Sequence, residues 1–444
     1  MADPAITIGQ ILTKKRDGEE LTTDEIGFFV RGITGGTIPD YQAAAWLMAV
    51  FLRGMTRRET RDLTLAMRDS GDRLDLSSLS PHPILDKHST GGVGDKTTLV
   101  VAPILAAAGI PMLKMSGRGL GFSGGTVDKL ESIPGFRSEL SISEAIDQVR
   151  LIRLALIGQS ADLAPADKIL YALRDVTATI ESLPLIASSI MSKKLAAGAD
   201  KILLDVKAGR GAFMKTRDQA EELARLLISI GNEAGVPTTA ILSRMDEPLG
   251  RAVGNAVEVE EAVQLLMTPG SAEPTFLKFC TELAAHGLIA ASTAATEEQA
   301  IERVKDLLSN GKAARKFGQM VRAQGGPDGC EAILASLPSA PIKHAVNARE
   351  SGMIVSIDAE AVGRLSMEMG AGRRAKSDVI DPAVGIVFTH KVGEQAAKGE
   401  ALAHLHIRVQ DEGKAEDFER DLLNACHIDG QPDAEPELFW MIAL

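Results

Sequence analysis

Two glycine-rich stretches, each set between a strand-like segment and a helix-like run, constrain this chain more than any other feature. The first is Asp86-Lys87-His88-Ser89-Thr90-Gly91-Gly92-Val93-Gly94-Asp95, just ahead of the apolar run Leu99 to Ala108. Glycines let a backbone come close to an anion, and free amides at a helix start attract negative charge. A lysine and two hydroxyls add charge-assisted bonds. The segment reads as a phosphate cradle with a titratable imidazole beside it. It is not a Walker loop, because no Gly-Lys-Ser/Thr closes the spacing, and it does not match the dinucleotide fingerprint. The second stretch, Met115 to Thr126, follows a strand expected at Pro111–Met115 and leads into a helix expected near Gly125. Ser116 and Thr126 are further phosphate donors there. A flexible connector is the ordinary alternative for either loop, but two such loops at strand–helix junctions favour one shared anion site.

Lys201–Val206 and Thr238–Leu242 read as buried strands, each followed by turn residues and a helix. Strands alternating with helices specify a mainly parallel sheet, whose ligands gather at the carboxyl ends of the strands. Residues 1–70 are helical by pattern, with capping boxes at Thr22-x-x-Glu25 and Thr56-x-x-Glu59. Asp40 is placed to cap the run Ala43 to Leu52, which Gly54 ends, and Trp46 and Phe51 are assigned to the core. Residues 160–197 form a second helical stretch expected to pack on the first. The expected fold class is a small all-helical domain (1–70 and 160–197) plus a large α/β domain with a mainly parallel sheet (71–159 and 198–335). Loops at Gly325–Gly329 and Pro338–Pro341 then lead to a C-terminal α+β subdomain (343–444), with strands at Met353–Ile357, Val387–Thr389 and Ala401–His406.

Composition narrows the partners. A net charge of −12 and 4% aromatic residues argue against nucleic acid as a partner. Cys280, Cys330 and Cys426 have neither disulfide nor zinc spacing, which points to a reducing cytoplasm. Met1-Ala2-Asp3-Pro4 has no signal-peptide pattern, and runs such as Val100 to Ile110 are too short to span a membrane. Hydrolase and metalloprotease motifs are missing. Among the histidines only His404-x-His406 is closely spaced, and in a strand that pair reads as structural.

A third segment carries polar groups at helical spacing. Tyr171-Ala172-Leu173-Arg174-Asp175 precedes Ser188-Ser189-Ile190-Met191-Ser192-Lys193-Lys194. Ser189 and Lys193 are four apart and Ile186 is three before Ser189, so a helix sets all three on one strip. Such a strip suits the edge of a polar heterocycle. From spacing alone, a solvated amphipathic helix with an incidental lysine is the stronger reading.

Taken together, these segments resemble the pyrimidine-nucleoside and thymidine phosphorylases. The resemblance rests on Lys87 to Asp95, Ser116 to Gly121, Gly124-Gly125-Thr126, Asp128 to Gly135, Leu163 to Lys168, Tyr171 to Asp175 and Asp205-Val206-Lys207. It implies a helical and an α/β domain with the active site in the cleft between them, and a homodimer formed through the helical domain. It also implies cleavage of the N-glycosidic bond by inorganic phosphate as co-substrate, with no organic cofactor. Phosphate would be held by Lys87, Ser89, Thr98, Ser116 and Thr126. The pyrimidine would be held by Arg174, Ser189 and Lys193, in a pocket shaped by Leu120, Tyr171, Ile186 and Phe213. His88 would meet the base carbonyl, so that His88, Arg174 and Lys193 form the catalytic set.

Two departures from the family pattern stand out. Phe122-Ser123 occupies the usual place of His-Thr, which bears on local packing and on sugar or base preference. The resemblance also implies a potassium site at Gly94, Leu249, Ala252 and Glu261 plus a threonine, and that threonine position is Lys96 here. An ammonium beside Glu261 would take the place of the ion; the alternative turns Lys96 to solvent and keeps the ion. The expected substrates are uridine, thymidine and deoxyuridine. A thymidine-restricted enzyme is the near alternative, and a phosphoribosyltransferase or a non-catalytic nucleoside-binding protein lies further off.

Overall fold

Helix ends in the first part of the chain are written in its side chains. Thr22 and Thr56 cap the helices Thr23–Thr34 and Arg57–Arg68 in reciprocal boxes with Glu25 and Glu59. Thr7 with Gln10 and Ser141 with Glu144 form two further boxes that the sequence reading passed over. Asp40 does not cap: Pro39 precedes the helix Asp40–Arg53, and Asp40 lies in its first turn, where a carboxylate suits the helix dipole. Gly54 ends that helix with φ near 70°. Trp46 is buried and stacks on Phe29 with ring centroids 4.2 Å apart. Phe51, expected in the core, is exposed; an apolar pattern fixes a helix face but not what covers it.

The computed structural model describes residues 6–79, 83–119, 121–122, 124–160, 162–375, 377–430 and 441–443. They form two compact units. The first contains Met1–Ser78, Gln159–Ile202 and Glu222–Thr238. In it the helices Pro165–Val176 and Leu183–Ala196 pack against the four N-terminal helices, around a core that includes Phe29, Trp46, Leu47, Leu63, Ala166, Leu170 and Leu185.

The second unit contains Leu79–Gly158, Leu203–Glu221 and Thr239–Leu444. One sheet has the strand order Leu85–Ser89, Lys201–Ala208, Thr238–Arg244, Met441–Ala443, the last antiparallel to its neighbour. Met112–Ser116 pairs in parallel with Leu154–Gly158. The fold is an α/β domain with a mostly parallel sheet, accompanied by a helical bundle and a C-terminal α+β unit. Helices Thr97–Ala107, Ala256–Met267, Pro274–Ala290 and Lys312–Ala323 supply much of the apolar core. The Thr97 helix begins two residues before the expected Leu99, because the Asp95 carboxylate takes up the Thr97 amide at 3.2 Å. Strand Met112–Ser116 is shifted one residue from expectation, and the strands from Lys201 and Thr238 each run two residues further.

The C-terminal residues build a second core, which Val93 and Val253 join, from antiparallel strands, among them Gly352–Ile357, Gly385–Phe388 and Ala401–Ile407, with the helices Ala359–Ser366 and Ala415–Ala425. His404 and His406 lie in the Ala401 strand.

Candidate active site

The phosphate-type residues of the second unit converge on a buried ionic network. Alternation along the strand Leu85–Ser89 puts Lys87 and Ser89 on one face and His88 on the other. The Lys87 ammonium donates to Thr97 Oγ1 at 2.7 Å and Thr98 Oγ1 at 3.5 Å, and lies 3.8 Å from Asp205. Asp95 accepts from the Ser89 hydroxyl at 2.5 Å and from the Thr97 hydroxyl at 2.6 Å. Burial pushes the Asp95 carboxyl up, but Lys207, Lys87 and the two hydroxyls outweigh it and hold the group well below the usual carboxylate range. Asp205 and Lys207, two apart on one strand and so on one face, pair at 2.9 Å in full burial, and Ser243 donates to Asp205 at 2.6 Å. Lys87, Ser89 and Thr98 are thus brought into one network of fixed charges. Ser116 closes its strand and is buried, and Thr126 opens the helix Thr126–Glu131 at the far end of the glycine loop. His88 is half-buried, Phe213 lies exposed in the turn after the Lys201 strand, and Leu120 and Ser123 lie outside the described residues.

The base-type residues belong to the first unit and sit on two helices. Asp167, Tyr171 and Arg174 follow i, i+4, i+7 spacing on the Pro165 helix; Ile186, Ser189 and Lys193 follow i, i+3, i+7 on the Leu183 helix. Lys193 Nζ donates to Asp167 at 2.5 Å and to Ser189 Oγ at 3.1 Å, and stands 5.9 Å from the Tyr171 ring centre. Arg174 is buried and donates to the carbonyls of Thr179, Leu185 and Ile180 at 3.2, 3.0 and 2.5 Å. A guanidinium has five N–H groups, so these three bonds fix its plane without using all its donors. Burial lowers its pKa, and Asp167 acts against that shift. The Tyr171 phenol is raised by burial, with Arg174 opposing. Sequence reasoning missed Asp167 as the partner of Lys193, although its spacing from Tyr171 and Arg174 is visible in the chain.

The implied potassium site does not fit an ion. The Lys96 ammonium lies 2.6 Å from Leu249 O, 2.9 Å from Ala252 O and 2.7 Å from Glu261 Oε2. Its side chain is fully buried, 5.1 Å from the Phe276 ring centre. Gly94, at φ 71°, approaches the same carbonyls so closely that a Cβ there would meet Leu249 O at 2.7 Å. A second cation among these oxygens would face the ammonium at contact distance, where like charges repel strongly.

The helical bundle and the α/β unit both fall in a glycosyl-transferring class of protein. Residues 9–71 match the family described as glycosyl transferase, helical bundle domain, and residues 81–314 match its a/b domain. Residues 353–429 match the pyrimidine nucleoside phosphorylase C-terminal domain. The pyrimidine-nucleoside phosphorylase of Geobacillus stearothermophilus is 47% identical over 430 residues, covering 97% of this chain and 98% of that protein. Its namesake from Bacillus subtilis is 50% identical over 396 residues, covering 89% and 91%. The chain belongs to the pyrimidine-nucleoside phosphorylase family. Among solved structures, the anthranilate phosphoribosyltransferase of Thermus thermophilus shares the fold, with a TM-score of 0.55 and 18% identity over 70% of this chain and 98% of that one.

Proposed function

We propose that this chain catalyses phosphorolysis of uridine, thymidine and deoxyuridine by inorganic phosphate, giving the free base and (deoxy)ribose 1-phosphate. The observation that carries this is that each unit gathers its own polar set: Lys87, Ser89 and Thr98 around Asp95 in one, and Lys193, Ser189 and Arg174 around Tyr171 in the other. In the reaction the C1′–N1 bond breaks and its electron pair passes to the pyrimidine, while a phosphate oxygen bonds to C1′. Negative charge grows on the base as the sugar becomes oxocarbenium-like. Lys193 and the remaining Arg174 donors would stabilise the departing base where that charge develops, with His88 at the base carbonyl. Lys87 and the hydroxyls would hold the nucleophile, whose negative charge offsets the cationic sugar. Water must be excluded so that hydrolysis does not compete. The test is free-base release from uridine, thymidine, deoxyuridine and cytidine, with and without phosphate. Release from the first three only when phosphate is present, and none from cytidine, is expected; release without phosphate contradicts the proposal.

Lys96 supplies the positive charge between the Gly94 and Leu249 segments, so the reaction should proceed in sodium-exchanged buffer without potassium. Activation by potassium several-fold or more would contradict this. The chain acts as a homodimer through its helical unit. On the Asp40 helix, Tyr41 and Leu52 are 74% and 71% exposed and share a face with exposed Met48, an apolar stripe that a second copy would cover. A Leu52→Glu variant should sediment as a monomer. A cytoplasmic site of action accords with three unpaired thiols, of which Cys330 and Cys426 are pushed up to about 11 and about 12 by burial. Among the described residues no helix is long and apolar enough to cross a membrane.

A further inference from the structure

Five of the nine residues from Gly117 to Gly125 are glycine. Such a loop gives up much freedom when it is ordered, so its conformation has to be imposed from outside. Part of the restraint is internal. Gly125 lies so close to Gly119 that a Cβ would meet the Gly119 nitrogen at 2.1 Å, and the Gly119 amide donates to Asp128 Oδ2 at 2.7 Å. The rest comes from a segment more than 240 residues further along the chain.

Arg373 follows the helix Ala359–Ser366 and the turn Met367–Ala371 of the C-terminal region. Its carbonyl accepts the Gly121 amide at 3.0 Å, its Nη1 donates to Gly119 O at 3.3 Å, and its Nη2 lies 2.9 Å from Asp128 Oδ1. One residue thus holds the loop at Gly119, Gly121 and the buried carboxylate at its base. Asn255 Nδ2 donates to Ala371 O at 2.8 Å and anchors this segment in turn. Phe122 adds a second grip. Its ring centre lies 5.6 Å from Lys215 Nζ and 5.5 Å from Arg364 Cζ, and both cations pair with Glu360. The missing side chain of Gly363 admits the Phe122 carbonyl, which a Cβ would meet at 2.6 Å.

We infer that the C-terminal unit clamps the glycine loop through Arg373, a positioning residue that keeps Ser116 and Thr126 in place for phosphate. The inference rests on the phosphate role proposed above for Ser116 and Thr126. Arg373 makes no contact with substrate in this scheme; it acts through Asp128 and the loop backbone. Phe122, the departure from the family pattern noted in the sequence, serves the same clamp from its other side.

The test uses the full chain with Arg373→Ala, Arg373→Lys and Ser116→Ala, reading KM for phosphate and for uridine separately, with amide exchange across residues 117–125. Arg373→Ala should raise the phosphate KM about tenfold or more, leave the uridine KM within about twofold, and speed loop exchange. Arg373→Lys, which keeps a charge for Asp128 but not the forked reach, should fall between. Faster exchange with an unchanged phosphate KM would overturn the clamp. So would equal losses for both substrates with a lowered unfolding temperature, since a purely structural residue behaves that way. Unchanged exchange would also overturn it. Ser116→Ala keeps the two claims apart: if that variant has a normal phosphate KM, the phosphate role fails whatever Arg373→Ala does.

Discussion

The two polar sets are built on opposite plans. In the α/β unit, Lys87 and Lys207 flank Asp205 in full burial, and half-buried Asp95 is held beside them by threonine and serine hydroxyls. In the helical unit, Lys193 keeps 25% of its side chain exposed, Tyr171 is 39% exposed, and Arg174 is steered by backbone carbonyls. The first arrangement suits a small, highly charged anion, which needs fixed charges at no cost of reorganisation. The second suits the edge of a flat heterocycle, which needs a few well-aimed donors beside an apolar surface. Rigidity is built in where the charge is greatest.

The contrast puts the largest effect on the anion side. Lys207→Ala leaves Asp205 buried without its near partner, a change expected to cost about 3–5 kcal/mol of stability. Thermal unfolding of the variant should show a marked drop; an unshifted transition would mean the network is not structural. A smaller effect is expected on the base side, and it should fall on activity. Asp167→Asn removes the charge that aims Lys193, and should lower kcat/KM for uridine by about 10–100-fold with little change in stability. An equal loss of phosphate affinity in that variant would break the division between the sets.

The smallest effect should lie outside both sets and serves as their control. His406 is buried in the C-terminal core, and burial, then Lys343 and His404, lower its pKa to about 4. The folded protein holds this imidazole neutral, while the unfolded chain takes up a proton below about pH 6.5. Its contribution to stability is therefore present above that value and fades as pH falls toward about 4. Urea midpoints should decline from pH 7.5 to 5, and His406→Leu should flatten the decline.

Much of the fold could be read from local signals. Thr22–Glu25 and Thr56–Glu59 announced helix starts, the run at Lys201 announced a buried strand, and the spacing of Ser189 and Lys193 placed both on one helix face. Local signals are short-range by nature, and the failures follow from that. Asp40 has the chemistry of a cap but sits one residue inside its helix, after Pro39. Phe51 belongs to an apolar run yet is exposed. In the site, Lys87 and the glycines were visible, but the Arg373–Asp128 pair joins residues 245 apart, and no spacing rule reaches that far. The Met441–Ala443 edge strand was missed for the same reason, since its partner Ile241–Ser243 is settled only by the tertiary fold.

The central claim is that nucleophile and base are held by separate sets of residues. It is tested most directly by a crossed pair of variants, Lys87→Ala and Lys193→Ala, each assayed for phosphate KM and uridine KM. Lys87→Ala should raise the phosphate KM alone, and Lys193→Ala should spare phosphate while cutting uridine kcat/KM about 100–1000-fold. If both variants damage the same substrate, or neither damages either, the division of labour described for this molecule is wrong.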